Sequence, residues 1–198
     1  AGKSTLLHAV TRARPKVADY PFTTIIPNLG VCELEAFKLG RPGASMVWLD
    51  IPGLIEGANT GRGLGLAFLR HTERCRLLLH LIDGESDTPD DDYLAINREL
   101  TLYSDRLGDT PQVVALTKMD LPHVAARAPA TLAALRAVMP HGRLMGISSA
   151  NGTNLRNLLG RTRQTLDSMA ARKAASMDAR KAAELKPTGP TQRAAVVE

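Results

Sequence analysis

The chain has 198 residues, of which 44% are hydrophobic and 23% charged, and its formal net charge is +5. This length suits one compact domain with a tail, and the composition excludes a mainly disordered or collagen-like chain. The most apolar stretch, 77–82, is far shorter than the roughly 20 residues of a membrane helix, so we expect no membrane partner. Cys32 and Cys75 cannot form a disulfide framework, and they predict a reducing, cytoplasmic location. We expect a monomer.

The end of the chain differs in composition from the rest. Residues 161–198 carry eight basic and four acidic side chains, so they hold +4 of the net charge of +5. We therefore divide the chain into a globular domain over 1–168 and a basic, Ala/Lys-rich tail over 169–198 that passes from helix to disorder. A contact of this tail with nucleic acid is the alternative.

Helical and strand patterns alternate along the chain. We predict helices over 3–14, from the end of the loop at 65 to about 74, over 88–107, over 130–139, and from 154 into the 170s or to 185. Strands are predicted over 31–37, 45–50, 76–83, 112–117 and 143–148, and loops over 15–30 and 51–65. The first two strands are joined by a glycine-rich turn and predict a hairpin. The rest predicts an α/β fold, a mostly parallel sheet with helices on both faces and ligands beyond the carboxyl ends of the strands.

The chain opens with Ala1-Gly2-Lys3-Ser4-Thr5 at the start of a predicted helix. This is the second half of the phosphate-binding pattern G-x-x-x-x-G-K-[ST]. Backbone N–H groups at a helix N-terminus attract phosphate, Lys3 would reach the β- and γ-phosphates, and the Ser4 hydroxyl would bind Mg²⁺. An accidental helix start is the alternative. The front half of the pattern is absent from the sequence, so we expect the first central strand of the sheet to be missing from this chain.

A second motif, Asp50-Ile51-Pro52-Gly53, directly follows a predicted strand. The aspartate can hold Mg²⁺ through water, and the Gly53 N–H can meet a γ-phosphate at close range. The alternative is an Asx turn that caps the strand.

Two further motifs follow the last strands. In Thr117-Lys118-Met119-Asp120 the carboxylate can accept the N1–H and N2 amine of guanine, a pair that adenine lacks, and the lysine stem can cover the base. Backbone N–H groups of Ser148-Ser149-Ala150 can meet guanine O6. Ordinary loops are the alternative for each. Together, four motifs in order, each at the end of a strand or the start of a helix, predict a P-loop NTPase fold that binds guanine nucleotide, GTP or GDP.

Two longer runs resemble the switch regions of the Obg GTPases. They are Asp19-Tyr20-Pro21-Phe22-Thr23-Thr24-Ile25-Ile26-Pro27-Asn28-Leu29-Gly30-Val31 and Asp50-Ile51-Pro52-Gly53-Leu54-Ile55-Glu56-Gly57-Ala58. The similarity extends over about 1–160. It implies a slow, Mg²⁺-dependent GTPase domain over 1–168 that acts in assembly of the large ribosomal subunit, with rRNA and ribosomal proteins as partners.

The resemblance also implies a set of site residues. It makes Lys3, Thr24 and Gly53 the catalytic set, and Ser4, Thr24 and Asp50 the Mg²⁺ ligands. The nucleotide would contact Ala1, Gly2, Lys3, Ser4, Thr5, Phe22, Thr23, Thr24, Ile25, Ile26, Asp50, Ile51, Pro52, Gly53, Thr117, Lys118, Met119, Asp120, Ser148, Ser149 and Ala150.

Two positions bear on affinity and rate. The family usually has asparagine where this chain has Thr117, whose single hydroxyl offers less hydrogen bonding, so we expect weaker nucleotide binding with guanine preference retained. Leu54 stands where Ras-like GTPases place a catalytic glutamine, and leucine cannot orient an attacking water.

Three other interpretations stay open. One is a scaffold that senses guanine nucleotides or ppGpp with negligible turnover. Another is an ATP-using relative, which the Lys118-x-Asp120 spacing disfavours. The last is that these 198 residues are inactive by themselves because the phosphate-binding loop is incomplete.

Overall fold

A computed structural model describes residues 2–11, 16–17, 28–50 and 75–184. Within these residues the chain forms the following elements, in order: α1 (Lys3–Val10), β1 (Lys16–Val17), β2 (Asn28–Glu33), a 3-10 helix (Leu34–Phe37), β3 (Ser45–Asp50), β4 (Leu78–Ile82), α2 (Pro89–Tyr103), α3 (Asp105–Gly108), β5 (Gln112–Leu116), α4 (Pro122–Val138), β6 (Leu144–Gly146) and α5 (Leu155–Glu184). No helix in this part of the chain is long and apolar enough to cross a membrane.

The first sheet is antiparallel, in the order β1-β2-β3. The predicted hairpin is confirmed, with Val31 paired to Val47. Two boundaries were wrong. The predicted loop over 15–30 contains strand residues at both ends, because 16–17 pair with 28–29. The predicted strand over 31–37 ends at Glu33, where a 3-10 helix begins that buries Leu34 and turns the chain at Lys38, which has a φ of 56°.

The second sheet is parallel, in the order β4-β5-β6, so the predicted parallel strands are confirmed in this half of the molecule. The helix predicted over 88–107 breaks at Ser104, whose extended backbone separates α2 from α3. The helix predicted over 130–139 begins earlier, at Pro122, and continues through Pro129. The predicted last helix is confirmed as α5, which runs without a break across the expected domain boundary at 168.

The central strand β5 is buried on both faces and separates two hydrophobic clusters. Val113 and Ala115 pack in one cluster with residues of α1, β2, β3 and α5. Val114 and Leu116 pack in the other with residues of α2 and α4. Because side chains alternate along a strand, these clusters lie on opposite faces of the parallel sheet, and the predicted helices on both faces are confirmed.

Four strand edges lack a neighbour among the described residues, and two of them belong to β3 and β4. β3 pairs with β2 alone and β4 with β5 alone. These strands also carry Trp48 Nε1, Asp50 Oδ1 and His80 Nε2, three buried polar atoms without a hydrogen-bond partner in the described part of the chain. The arrangement fits the expectation of a missing central strand, which stays a prediction.

Candidate guanine-nucleotide site

The carboxyl ends of the three parallel strands meet at one edge of the sheet. Ile82 pairs with Leu116, and Leu116 pairs with Gly146, so all three strands end in register. The loops that begin at residues 83, 117 and 147 therefore start side by side. This is the edge at which open α/β sheets bind ligands, and two of the sequence-predicted motifs lie on it.

The carboxylate of Asp120 is held by a serine from the neighbouring loop. The Ser148 hydroxyl is fully buried and donates to Asp120 Oδ1 over 2.6 Å. The Ser148 hydroxyl oxygen in turn accepts the backbone N–H groups of Ala150 and Asn151, each at 3.2 Å. Asp120 itself is exposed and accessible to a ligand. Ser148 thus joins the two predicted base-binding motifs and sets the direction of the carboxylate that would accept from guanine.

Lys118 has a left-handed backbone, with a φ of 62°, in the turn that follows β5. Its ammonium forms ion pairs with two carboxylates of the loop after β4, with Asp83 Oδ1 at 3.0 Å and with Glu85. The hydrogen bonds to Glu85 and to Asp83 raise the pKa of Lys118 above its ordinary value. Burial raises the pKa of Asp83, but hydrogen bonds from the Glu85 N–H and from Lys118 outweigh it and leave this pKa lowered. Lys118, the lysine predicted to cover the base, is therefore charged and anchored at its tip.

Asp83 and Glu85 were not singled out from the sequence. The available signal was a pair of acidic residues around Gly84 at the end of an apolar strand. Gly84 is required there, because a Cβ would stand 2.1 Å from the carbonyl oxygen of Thr117. The two loops therefore approach each other closely enough for the acidic side chains to reach Lys118.

Thr117 is buried, and its contacts are with β4. Its hydroxyl donates to the Ile82 carbonyl over 3.1 Å, and its backbone N–H donates to the same oxygen over 2.9 Å. The only hydroxyl hydrogen of Thr117 is thereby used between the strands, and only its lone pairs remain for a ligand or the phosphate-binding loop.

The phosphate side of the site is assembled from α1 and the end of β3. Gly2 precedes the helix with a φ of 77°, a conformation that favours glycine, and its carbonyl accepts the first helical hydrogen bond, from Leu6. Lys3 Nζ lies 3.8 Å from Asp50 Oδ1. The Asp50 side chain is 9% exposed, and this oxygen has no hydrogen-bond partner among the described residues. The structure thus brings together the predicted phosphate-binding lysine and the predicted metal-binding aspartate, while Ser4 is exposed nearby in the first turn of α1.

The remaining predicted site residues lie outside the described part of the chain. They are Ala1, Phe22, Thr23, Thr24, Ile25, Ile26, Ile51, Pro52 and Gly53. Their roles stay predictions. Met119 and Ser149 are half-buried in the two base-side turns, and Thr5 is exposed on α1.

Comparison with known proteins identifies a family. The family described as "50S ribosome-binding GTPase" matches residues 1–118. The chain is 55% identical over 130 residues to a GTPase Obg of an Anaeromyxobacter species, covering 64% of this chain and 35% of that protein. It is 47% identical over 171 residues to the GTPase Obg of Myxococcus xanthus, covering 84% of this chain and 33% of the relative. The chain thus spans about a third of the length of these relatives.

Solved structures agree on the fold. Era in complex with MgGDPNP and a segment of 16S ribosomal RNA matches with a TM-score of 0.56 at 22% identity, over 80% of this chain and 50% of that one. The cytosolic domain of FeoB from L. pneumophila matches with a TM-score of 0.56 at 19% identity, over 82% of this chain and 59% of its own. The predicted P-loop fold is confirmed by these neighbours. The chain belongs to the 50S ribosome-binding GTPase family, and within it to the Obg-type GTPases.

Proposed function

We propose that the protein binds GTP and GDP with Mg²⁺, hydrolyses GTP slowly, and acts in the cytoplasm as a switch in assembly of the large ribosomal subunit. The observation that carries the proposal is the hydrogen bond from buried Ser148 to exposed Asp120. A carboxylate held at the ligand-binding edge of the sheet accepts two N–H donors, and guanine presents such a pair at N1 and N2. The description of the matching family, 50S ribosome-binding GTPase, supports the ribosomal role.

On the phosphate side, Lys3 and the backbone N–H groups at the start of α1 would bind the β- and γ-phosphates. Lys3 then exchanges its long contact with Asp50 for the phosphate oxygens. Thr24 and Gly53 complete the proposed catalytic set from the switch runs. Since Leu54 cannot orient water, these donors stabilise the charge that develops on the γ-phosphate, and slow turnover is expected.

The residues present suit Mg²⁺. Asp50 Oδ1 is a buried carboxylate oxygen with no hydrogen-bond partner in the described chain, and hard oxygen ligands are what Mg²⁺ prefers. Ser4 and Thr24 would supply the hydroxyl ligands. When bound, Mg²⁺ neutralises charge on the phosphates.

The alternative is a scaffold that binds guanine nucleotide or ppGpp with negligible turnover. Two residues favour this alternative. Leu54 cannot orient an attacking water, and the Thr117 hydroxyl already donates its hydrogen to the Ile82 carbonyl. A single-turnover assay separates the two, because the GTPase converts bound GTP to GDP and phosphate whereas the scaffold releases GTP intact.

The decisive test is a change of base specificity in the full-length protein. We expect a fluorescent GDP analogue to bind in the presence of Mg²⁺ and to be displaced by GTP but not by ATP. Asp120→Asn replaces an acceptor by an amide that can donate to the O2 of xanthine, so it should weaken guanine binding by about a thousandfold and favour xanthine nucleotides. Displacement by ATP, or an Asp120→Asn variant with unchanged guanine affinity, would overturn the assignment.

A further inference from the structure

The loop over residues 83–87 contacts the lysine of the base-binding motif and does not belong to any motif predicted from the sequence. Two of its carboxylates, Asp83 and Glu85, hold the Lys118 ammonium. The Glu85 side chain is 46% exposed and packs in no hydrophobic cluster of the described residues, whereas that of Lys118 is 35% exposed. The contact is thus polar, and its loss leaves no cavity in the core.

Arg127 of α4 stabilises the loop over residues 83–87. The Arg127 guanidinium donates to the carbonyls of Gly84 and Ser86, to the latter over 3.1 Å, and it lies 3.6 Å from Asp87 Oδ1. Within the loop, Asp83 Oδ1 accepts the Glu85 N–H over 3.0 Å. The residues on both sides of Glu85 are therefore held by hydrogen bonds from Arg127, and its own N–H is held by Asp83. These bonds fix the position from which the Glu85 carboxylate contacts Lys118.

The Glu85 carboxylate, the second partner of Lys118, fixes the direction of the lysine side chain in addition to pairing with its charge. Asp83 alone would leave the ammonium free to rotate about one contact, whereas two carboxylates on one side hold the tip of the side chain at the loop. The four-carbon stem then spans from the turn after β5 to the loop after β4, and Asp120 follows two residues later in the same turn. Among the described residues, His123 Nε2, 3.7 Å from Glu85 Oε1, is the other titratable group that pairs with this carboxylate.

We propose that Glu85 is a positioning residue for guanine-nucleotide binding, which acts by holding the Lys118 stem where it covers the base. The inference rests on the proposed function, since it assumes a bound guanine. An unanchored lysine loses rotamer freedom when it covers a ligand, whereas an anchored one has lost this freedom before binding. Glu85→Gln keeps the size of the side chain and removes its charge, and we expect it to weaken GDP binding by about three- to tenfold, mainly through faster dissociation.

A double-mutant cycle in the full-length protein tests whether Glu85 acts through Lys118. Lys118→Met keeps an unbranched stem and removes the ammonium. Affinity for a fluorescent GDP analogue is measured for wild type, Glu85→Gln, Lys118→Met and the double variant. We expect the Glu85→Gln effect to disappear in the Lys118→Met background. Glu85→Asp, which keeps the charge on a shorter side chain, should retain part of the wild-type affinity.

Glu35→Gln is the matched control, because Glu35 is an exposed carboxylate on the 3-10 helix and should leave the affinity unchanged. An unchanged or tighter affinity of Glu85→Gln would overturn the proposal, and so would an equal loss in both Lys118 backgrounds. The failure of the proposed function looks different, since wild type itself would then bind no guanine nucleotide. Thermal unfolding of each variant verifies that affinities are compared between folded proteins.

Discussion

The two sides of the candidate site differ in how far the protein itself organises them. On the base side, Asp120 is held by Ser148 at 2.6 Å and Lys118 by two carboxylates. On the phosphate side, Lys3 stands 3.8 Å from Asp50, whose oxygen has no hydrogen-bond partner among the described residues. The proposed base-binding groups are thus held by contacts within the protein, whereas the proposed phosphate-binding groups have few such contacts, and phosphate and Mg²⁺ would supply the missing ones.

This difference has a physical basis. A neutral base offers few strong interactions, so its recognition depends on donors and acceptors that are already in place. Phosphates and Mg²⁺ carry full charges, and their attraction can order flexible groups during binding. Changes on the phosphate side should therefore affect affinity without stability, while loss of the contact between Ser148 and Asp120 on the base side should affect both.

The largest expected effect is on the phosphate side. Lys3→Met leaves phosphate charge uncompensated and should weaken GTP binding by about a thousandfold, roughly 4 kcal/mol. The free energy of unfolding of the unliganded protein should change by less than about 1 kcal/mol, because the ion pair with Asp50 is long and Lys3 is half-exposed. Calorimetric titration with GTP and urea unfolding measure the two quantities. A large loss of stability would contradict the contrast between the two sides.

Acid should weaken the sheet that carries the base side. Burial lowers the pKa of His80 on β4 to about 4, although a hydrogen bond to Gln112 and the charge of Asp92 oppose the shift. In the unfolded chain the same imidazole takes up its proton near pH 6.5. Between these values the unfolded state binds more protons, so stability falls as pH drops through the window, by about 3 kcal/mol in total for this group.

His80→Phe removes this titration and keeps an aromatic ring against Tyr93, whose ring centroid lies 5.3 Å away. Urea unfolding at pH 7 and pH 4.5 should show a smaller loss of stability for the variant than for wild type. His123→Gln, at an exposed position, is the control and should follow wild type. Parallel pH profiles for wild type and His80→Phe would show that His80 does not dominate the acid response.

Ser148→Ala tests the base side directly. It removes the donor to Asp120 and the acceptor of two turn N–H groups, which should reduce the free energy of unfolding by about 2 kcal/mol. GDP affinity should fall about tenfold, since the carboxylate is no longer directed. Ser168→Ala on the exposed part of α5 serves as control. A loss of affinity without a loss of stability would mean that Ser148 contacts the nucleotide and does not organise the turn.

The smallest expected effect is at Thr117. Thr117→Asn supplies an amide with two donors and an acceptor, and it should strengthen GDP binding by about fivefold. Thr117→Val removes the hydrogen bond to Ile82 and should cost about 1 kcal/mol of stability, with little change in affinity. Weaker binding by Thr117→Asn would indicate that the buried position between the strands does not admit the longer side chain.

The elements were predictable to different degrees. Gln112–Leu116 is a short apolar run between turn residues, and it forms a strand that is buried on both faces. Leu34 lies in an equally strand-like run, but packing of its side chain and the turn at Lys38 produce a 3-10 helix. Local patterns identify a strand where both faces are buried, whereas at the sheet margin the turn geometry determines where the strand ends.

The motifs around Lys3, Asp50, Asp120 and Ser148 were readable from the sequence because each motif is short and contiguous. The predicted elements also placed the first of them at the start of a helix and the other three at strand ends, as the structure does. The hydrogen bond that joins Ser148 to Asp120 and the ion pairs that anchor Lys118 connect residues 28 to 35 positions apart, and no local pattern marks them. The residue types and their short motifs therefore indicate which chemistry is present. Which of these groups are held in place depends on the fold, because parallel strands bring distant loops to one edge.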